Sequence, residues 1–181
     1  MALRKSGIDE SFKGKWIGMV ELRSDEQGEY RKKLCQIINY GTPWCLVVCG
    51  ECGNGKSYLA QVAVNTFNDN GFRGGFYTTQ ALLQDELRGG SSDNLIRLYS
   101  NYPMLVVDEL SDRPNDWTEF IKTSLESILI ERHRQGNRTI LIGNLDFERL
   151  VAMFDVRVRD RLQEGLIQPM VGPSLRRPYG K

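Results

Sequence analysis

Residues 50–57 read G-E-C-G-N-G-K-S and match the pattern G-x-x-x-x-G-K-[ST] at every fixed position. Glycines let backbone N–H groups converge on phosphate oxygens without a Cβ in the way. Lys56 is placed to reach the β- and γ-phosphates of a nucleotide, and the Ser57 hydroxyl is placed to bind Mg²⁺. We therefore expect ATP and Mg²⁺ as cofactors at this loop. The residues expected to bind the nucleotide are Gly50, Gly53, Asn54, Gly55, Lys56, Ser57 and Tyr58.

A second acidic site follows the apolar run 104–107 (M-L-V-V), where Asp108 and Glu109 stand side by side. In nucleotide hydrolases with such a glycine-rich loop, an aspartate at the end of a neighbouring strand holds the Mg²⁺ shell. We expect Asp108 to take that role, so that Ser57 and Asp108 together bind Mg²⁺. Glu109 is expected to polarise the attacking water as a general base.

The segments that must position these residues alternate between apolar runs of strand length and helical patterns. This alternation is typical of an α/β domain with a mostly parallel sheet. The predicted strands are residues 44–49, 74–78, 104–107, 139–142 and 166–171. The predicted helices are residues 22–40, 56–68, 79–87, 94–100, 117–135, 146–154 and 158–165. The expected division is a lead-in with a helix (1–43), an α/β core (44–171) and a flexible tail (172–181).

Composition excludes several classes of protein. The 181 residues are 40% hydrophobic and 26% charged, which excludes wholesale disorder. The formal net charge of +1 gives no bulk argument for nucleic-acid binding, so such a site must be a local patch. The apolar runs, such as 45–49 and 104–107, are far shorter than the about 20 residues that a membrane span needs, so no membrane partner is expected. The charged N-terminus lacks the apolar stretch of a secretion signal, and we expect a cytoplasmic protein.

Polar residues in the second half of the chain allow two interpretations each. Asn144 follows the apolar run 139–142 and either orients the attacking water or is an ordinary turn residue. Arg157, Arg159 and Arg161 alternate along the chain, as on a solvated helix face. The other interpretation is that one of them reaches the γ-phosphate of a neighbouring subunit. Such an arginine contributes roughly 10³ to 10⁵ in rate.

Four cysteines raise the possibility of a zinc or redox site, because Cys35, Cys45, Cys49 and Cys52 fall close together and the last two form a CxxC. However, Cys45 and Cys49 belong to one predicted strand, and Cys52 lies inside the phosphate loop. Bending that loop around a metal would destroy the nucleotide site. We therefore expect small buried thiols in a reducing compartment.

Taken in order, four segments resemble the AAA+ ATPase domain of the DnaC-type helicase loaders, a family related to IstB-like transposition ATPases and DnaA-type initiators. These segments are residues 50–57, 105–109, 139–144 and 156–162 (V-R-V-R-D-R-L). The last is the most specific to this family. Residues 6–8 (S-G-I) and 11–12 (S-F) also resemble the segment that leads into that domain, so the resemblance covers about residues 6–168.

The resemblance implies an AAA+ core with a five-stranded sheet in the order 5-1-4-3-2. The sequence departs from related ATPases in leaving no room for a C-terminal helical lid, so no lid domain is expected. It implies that Asn144 senses the γ-phosphate, that Arg157 acts on a neighbouring subunit's nucleotide, and that Arg161 is a second arginine near the subunit junction. It also implies ATP hydrolysis and an ATP-dependent homo-oligomer on single-stranded DNA during DNA replication, in a bacterial or phage-infected cell. The implied DNA-binding candidates are Arg88, Arg97, Arg113 and Trp117.

Partners and function stay open between several alternatives. No more than about ten residues precede the region of resemblance, so the N-terminal helicase-binding domain of such loaders is expected to be missing. The partner is then a replicative helicase or another replication or transposition protein. The alternatives are an IstB-like accessory ATPase, a nucleotide-switched interaction module, and a small-molecule kinase. The adjacent acids Asp108 and Glu109 and the expected lack of a lid disfavour the kinase.

Overall fold

The computed structural model describes residues 7, 9–87, 92–111, 119–172 and 174 of the chain. The helices in these ranges are α1 (Asp25–Tyr40), α2 (Lys56–Asp69), α3 (Thr79–Leu87), α4 (Ser92–Ser100), α5 (Glu119–Gln135), α6 (Phe147–Ala152) and α7 (Val156–Gln163). The strands are β1 (Cys45–Cys49), β2 (Gly74–Thr78), β3 (Met104–Leu110), β4 (Arg138–Gly143) and β5 (Leu166–Pro169). Two 3-10 turns, Glu10–Phe12 and Ile17–Met19, precede α1. No helix within the described ranges is long and apolar enough to cross a membrane.

The five strands form one sheet in which every pair is parallel, in the order β2-β3-β4-β1-β5. The expected order 5-1-4-3-2 is the same sheet viewed from its other edge, so that prediction is confirmed. β1 lies between β4 and β5, and its Val47 pairs with Leu141 on one side and Ile167 on the other. Because all strands point the same way, their carboxyl ends meet along one edge, where ligands bind in open α/β sheets.

Both faces of the sheet are covered by helices. Successive side chains of a strand point to opposite faces, so β1 contributes to two separate cores. Cys45, Val47 and Cys49 join a cluster with residues of α4, α5, α6 and α7. Leu46 and Val48 join a second cluster with residues of α1 and α2. The continuous burial of β1 is why its sequence is an unbroken apolar run.

The starts of α1 and α7 differ from the predicted bounds because each helix follows a capping side chain. α1 begins at Asp25 rather than residue 22, because the Ser24 hydroxyl accepts from the backbone N–H of Gln27. α7 begins at Val156 rather than residue 158, because the Asp155 carboxylate accepts from the N–H of Val158. α4 begins two residues earlier than predicted. The earlier start of α7 places Arg157 inside that helix.

β3 is longer than predicted and irregular at its end. The strand continues past Val107 through Asp108 and Glu109 to Leu110, and its register against β4 shifts between Val107 and Leu110. Glu109 has a φ of 62°, in the left-handed region that glutamate rarely adopts. The Thr79 hydroxyl hydrogen-bonds to the carbonyl oxygens of Asp108 (3.0 Å) and Glu109 (3.2 Å). This irregularity lies where the two predicted acidic residues stand.

Arg132 of α5 is fully buried at the end of the sheet opposite the carboxyl ends of the strands. Its Nε donates to the Thr139 hydroxyl at 2.9 Å. Its Nη1 donates to the carbonyl oxygens of Tyr99 (2.8 Å) and Tyr102 (2.7 Å), and its Nη2 to that of Arg138. One guanidinium thus ties α5 to the end of α4 and to the starts of β3 and β4.

Candidate nucleotide site

The phosphate loop connects the carboxyl end of β1 to the start of α2. Gly55 caps α2 with a φ of 91°, and Gly50 and Gly53 also have positive φ values. A Cβ at Gly50 would overlap the carbonyl oxygen of Met170. Only glycine therefore fits at Gly50. The loop leads into the start of α2, and the positive end of a helix favours an anion.

Two buried side chains, Gln27 outside the motif and Asn54 within it, hold the phosphate loop in shape. The buried Gln27 amide of α1 donates to the Asn54 carbonyl at 3.0 Å. The buried Asn54 side chain donates to the Met170 carbonyl, just after β5, at 2.7 Å. Neither Gln27 nor Met170 was predicted to be part of the site. The signal for Gln27 was available, because it is the polar member of the otherwise apolar buried face of α1.

Lys56 lies inside the loop that precedes it. It is 4% exposed, and its Nζ donates to the carbonyl oxygens of Gly50 (2.7 Å) and Glu51 (2.5 Å) and to Asn54 Oδ1 (3.2 Å). The predicted phosphate-binding cation is thus held within the loop by neutral oxygen acceptors. These acceptors are weaker partners for an ammonium than a phosphate would be.

Asp108 faces the start of α2 from the neighbouring part of the sheet. Its Oδ1 accepts from the Glu109 N–H at 2.7 Å, and Ser57 lines the same cavity. Burial raises the pKa of Asp108, while the hydrogen bonds from Ser57 and Glu109 and the charge of Lys56 act in the opposite direction. A buried carboxylate beside a hydroxyl is a donor set that suits Mg²⁺, which prefers oxygen ligands.

These groups line one cavity of about 650 Å³. Glu109 and Asn144, both exposed, lie on its wall at the ends of β3 and β4. The structure therefore brings Lys56, Ser57 and Asp108 together with the two residues predicted to act on water. The other lining residues are Phe12, Val20, Glu21, Arg23, Gln27, Cys52, Gly53, Asn54, Gly55, Tyr58, Leu59 and Gln61.

Part of this wall comes from the lead-in segment and was not predicted as part of the site. The Phe12 ring lies 5.5 Å from the Tyr58 ring, measured between centroids. The Lys15 ammonium lies over both rings, at 5.0 Å from that of Phe12 and 5.3 Å from that of Tyr58. Tyr58, predicted to bind nucleotide, thus lies at the cavity mouth against the residues that precede α1.

The two predicted arginines lie away from this cavity, on α7. Arg157 is exposed, and its guanidinium is paired with Asp155 at 2.9 Å. Arg161 donates from Nη1 to the Arg157 carbonyl at 2.7 Å, and its own carbonyl accepts from the Trp44 indole at 3.1 Å. Neither arginine lines the cavity of its own chain.

Of the DNA-binding candidates, Arg97 is exposed on α4. Arg88, Arg113 and Trp117 lie outside the described residues.

The cysteines give no support to the zinc alternative. Cys45 and Cys49 are buried in β1, Cys35 is half-buried and Cys52 is exposed, and all four are free thiols. Burial raises the pKa of the Cys45 thiol to about 12, which disfavours the thiolate that a metal requires. Across the described ranges no group of three or more metal-binding side chains is found.

Comparison with solved structures gives the same fold over nearly the whole chain. DnaI is 16% identical, with a TM-score of 0.75 over 93% of this chain and 94% of that one. The DnaC helicase loader is 16% identical, with a TM-score of 0.73 over 90% of this chain and 100% of that one. A replication initiator DnaA bound to AMPPCP and single-stranded DNA is 16% identical, with a TM-score of 0.73 over 90% of this chain and 50% of that one. The chain thus spans about half the length of that DnaA structure.

Comparisons by sequence give no such match, since no protein-family model and no curated protein matches the chain. The likeness therefore lies in the architecture, which is an all-parallel five-stranded sheet with a glycine-rich loop after its first strand. The chain has the AAA+ P-loop fold seen in the DnaI and DnaC helicase loaders and in the DnaA initiators.

Proposed function

We propose that the protein binds ATP with Mg²⁺ and hydrolyses it. The observation that carries this proposal is that Ser57, Asp108 and the buried Lys56 line one cavity at the start of α2. A hydroxyl, a carboxylate and a lysine meet at the start of a helix that follows a glycine loop. This combination serves nucleoside triphosphate chemistry, because it supplies positive charge, backbone N–H groups and a magnesium site together.

Each residue has a distinct role in this proposal. Lys56 exchanges the carbonyl oxygens that it now contacts for the β- and γ-phosphates. Ser57 and Asp108 hold Mg²⁺, which when bound neutralises charge on the phosphates. Glu109 accepts a proton from the attacking water, and Asn144 orients that water or contacts the γ-phosphate. The exposure of Glu109 and Asn144 on one cavity wall supports these last two roles.

The active site is completed by a second copy of the chain. Charge develops on the phosphoryl oxygens in the transition state, and arginine is the usual residue that stabilises it. Arg157 and Arg161 lie on α7 outside the cavity of their own chain, and Arg157 is exposed. We assign Arg157 to the neighbouring subunit's γ-phosphate and Arg161 to the same junction, so that hydrolysis requires a homo-oligomer.

The proposed cellular role is replication-related. The solved structures with this fold include helicase loaders and a DnaA bound to single-stranded DNA. By that likeness, the assembly binds single-stranded DNA and serves a replicative helicase or another replication or transposition protein in the bacterial cytoplasm. The exposed Arg97 is the one proposed DNA contact within the described residues, and Arg88, Arg113 and Trp117 complete the proposed set.

The experiment that tests this function measures ATP turnover and assembly size together, with and without single-stranded DNA. We expect turnover to rise with single-stranded DNA as larger species form, and Lys56→Ala to abolish it. Lys32→Ala is the matched control, because Lys32 is exposed on α1 and paired with Glu29. Failure of the protein to bind ATP would refute the proposal. Turnover that ignores DNA would favour the nucleotide-switched interaction module.

Mixed assemblies test the shared site. Arg157→Ala subunits keep an intact phosphate loop, and Lys56→Ala subunits keep an intact arginine. If Arg157 acts in trans, mixing the two inactive variants should restore part of the turnover at mixed junctions. Arg134→Ala is the control, because Arg134 is likewise exposed and ion-paired, with Glu131. No rescue at any mixing ratio would contradict a site shared between subunits.

A further inference from the structure

Arg157 stands at a position that ordinary helix electrostatics disfavours. It is the second residue of α7, in the first turn, where the unpaired N–H groups give the helix its positive end. A cation is normally placed at the opposite end of a helix, and an acidic residue near the start. A sequence that breaks a local preference in this way needs a compensating contact.

Asp155 supplies that contact with the two oxygens of one carboxylate. Its Oδ1 accepts from the Val158 N–H at 2.9 Å and so caps α7. Its Oδ2 accepts from Nε (3.1 Å) and Nη2 (2.9 Å) of Arg157. The capping bond fixes the carboxylate relative to the helix, and the second oxygen therefore fixes the guanidinium relative to the same helix.

Asp155 is itself hydrogen-bonded to another helix. The Asp155 backbone N–H donates to Glu126 Oε1 of α5 at 2.7 Å. The Asp155 side chain is 29% exposed and that of Arg157 is 71% exposed. The Asp155 side chain is thus held at the surface of the protein by its backbone, while the guanidinium extends further into solvent. Val156, beside it, is an exposed apolar residue suited to burial at a junction between subunits.

Only part of the guanidinium is used by this pair. Arginine has five N–H donors, of which Asp155 engages one on Nε and one on Nη2. The remaining donors suffice for a second, bidentate contact with phosphate oxygens. Binding a phosphate therefore does not require the guanidinium to leave Asp155.

We propose that Asp155 is a positioning residue, which holds the Arg157 guanidinium in the orientation that a neighbouring subunit's γ-phosphate requires. This inference rests on the proposed function, in which Arg157 acts in trans. A long arginine side chain that is already ordered loses less conformational freedom when the junction forms. Asp155 does not touch the nucleotide, and it acts through Arg157.

The test replaces the carboxylate while keeping the helix cap. Asp155→Asn and Asp155→Ser both retain an oxygen that can cap α7, but neither can pair with Arg157. We expect turnover per assembled site to fall roughly 5- to 20-fold, with the KM for ATP within about two-fold of wild type. Asp146→Asn is the matched control for capping alone. Asp146 caps α6 by accepting from the Arg149 N–H at 2.8 Å, and Glu148 stands where α7 has its arginine.

A purely structural role for Asp155 is separated from positioning by mixing subunits. Lys56→Ala subunits have an intact Asp155 and Arg157, so they should restore turnover at the nucleotide sites of Asp155→Asn subunits. A folding defect in the Asp155→Asn subunit would not be repaired in this way. Unchanged or faster turnover of Asp155→Asn would overturn the inference, because the ion pair would then be neutral or inhibitory.

Parallel measurement of Arg157→Ala separates the action of Arg157 in trans from the positioning role of Asp155. If Arg157→Ala leaves turnover unchanged, the proposed trans arginine itself fails. If Arg157→Ala lowers turnover and Asp155→Asn does not, only the positioning role of Asp155 fails. If both lower turnover and both are rescued by Lys56→Ala subunits, the two assignments stand together.

Discussion

The Gln27 side-chain amide of α1 donates to the Asn54 carbonyl at 3.0 Å and ties the helix before the sheet to the tip of the phosphate loop. The same side chain accepts from the Arg23 N–H at 2.8 Å, so both ends of its amide are engaged. A Cβ at Gly55 would lie 2.5 Å from Gln27 Nε2. The shape of the phosphate loop therefore depends on a residue outside its own motif.

Removal of the Gln27–Asn54 hydrogen bond should weaken nucleotide binding. We expect Gln27→Ala to raise the Kd for ATP about ten-fold, because the loop must then be ordered at the expense of binding energy. Gln27→Glu should weaken binding further, since it removes the donor and adds negative charge next to the phosphates. Titration with a fluorescent ATP analogue measures both. Gln36→Ala is the control on the same helix, and an equal loss of affinity there would contradict the argument.

Replacement of Asp108 should make the nucleotide-free protein more stable and inactive. The residue is 5% exposed, and burial disfavours its ionised form. We expect Asp108→Asn to raise the free energy of unfolding at pH 7.5 by about 0.5–1.5 kcal/mol. It should also abolish Mg²⁺-dependent turnover. Urea unfolding and ATP turnover check the two effects, and a destabilised Asp108→Asn would refute the first.

The pH dependence of that gain follows from the direction of the pKa shift. Because the pKa of Asp108 is raised in the folded chain, the folded state binds the proton more tightly than the unfolded state. The cost of the carboxylate is therefore fully present above the folded pKa and decreases as the pH falls through it. We expect the stability advantage of Asp108→Asn to shrink as the pH is lowered from 7.5 toward 5, as measured by urea unfolding at each pH. An advantage that grows at low pH would contradict this.

Exchange of Glu109 for glutamine should separate ATP binding from hydrolysis. The amide keeps the size of the side chain but cannot take a proton from water. We expect Glu109→Gln to bind ATP normally and to hydrolyse it roughly 10² to 10⁴ times more slowly. Single-turnover hydrolysis measures the chemical step directly. Glu148→Gln, on the exposed side of α6, is the control, and an unchanged rate in Glu109→Gln would remove Glu109 from the mechanism.

The elements around the phosphate loop could be predicted closely because their signals are local. Glycines separate β1 from α2, and the predicted bounds of both agree with the structure to within one residue. The sheet order came from the family resemblance, and the structure confirms it. The burial of Gln27 has a signal in the sequence, but its hydrogen bond to Asn54 does not, because the two residues are distant in sequence and their contact depends on how α1 packs.

The end of β3 and the start of α7 were less predictable, for two different reasons. β3 was predicted as residues 104–107 with Asp108 and Glu109 at its end, but the strand continues through both, and their carbonyl oxygens accept from the Thr79 hydroxyl at the start of α3. This is a tertiary contact that no local pattern records. For α7 the signal is local, because Asp155 is a typical capping residue and the helix begins directly after it.

Arg132 should be essential for stability and unimportant for nucleotide binding. It contacts the starts of β3 and β4, at the end of the sheet opposite the cavity, and the described residues give it no carboxylate partner. Its charge is stabilised by carbonyl oxygens at the negative end of α4, while burial lowers its pKa to about 9. Lysine cannot reach these acceptors in the same geometry. We expect Arg132→Lys to lower the free energy of unfolding by about 2–4 kcal/mol in urea unfolding, with Arg134→Lys as the exposed control. An unchanged free energy of unfolding would contradict this role, as would a lower ATP affinity at temperatures where the variant remains folded.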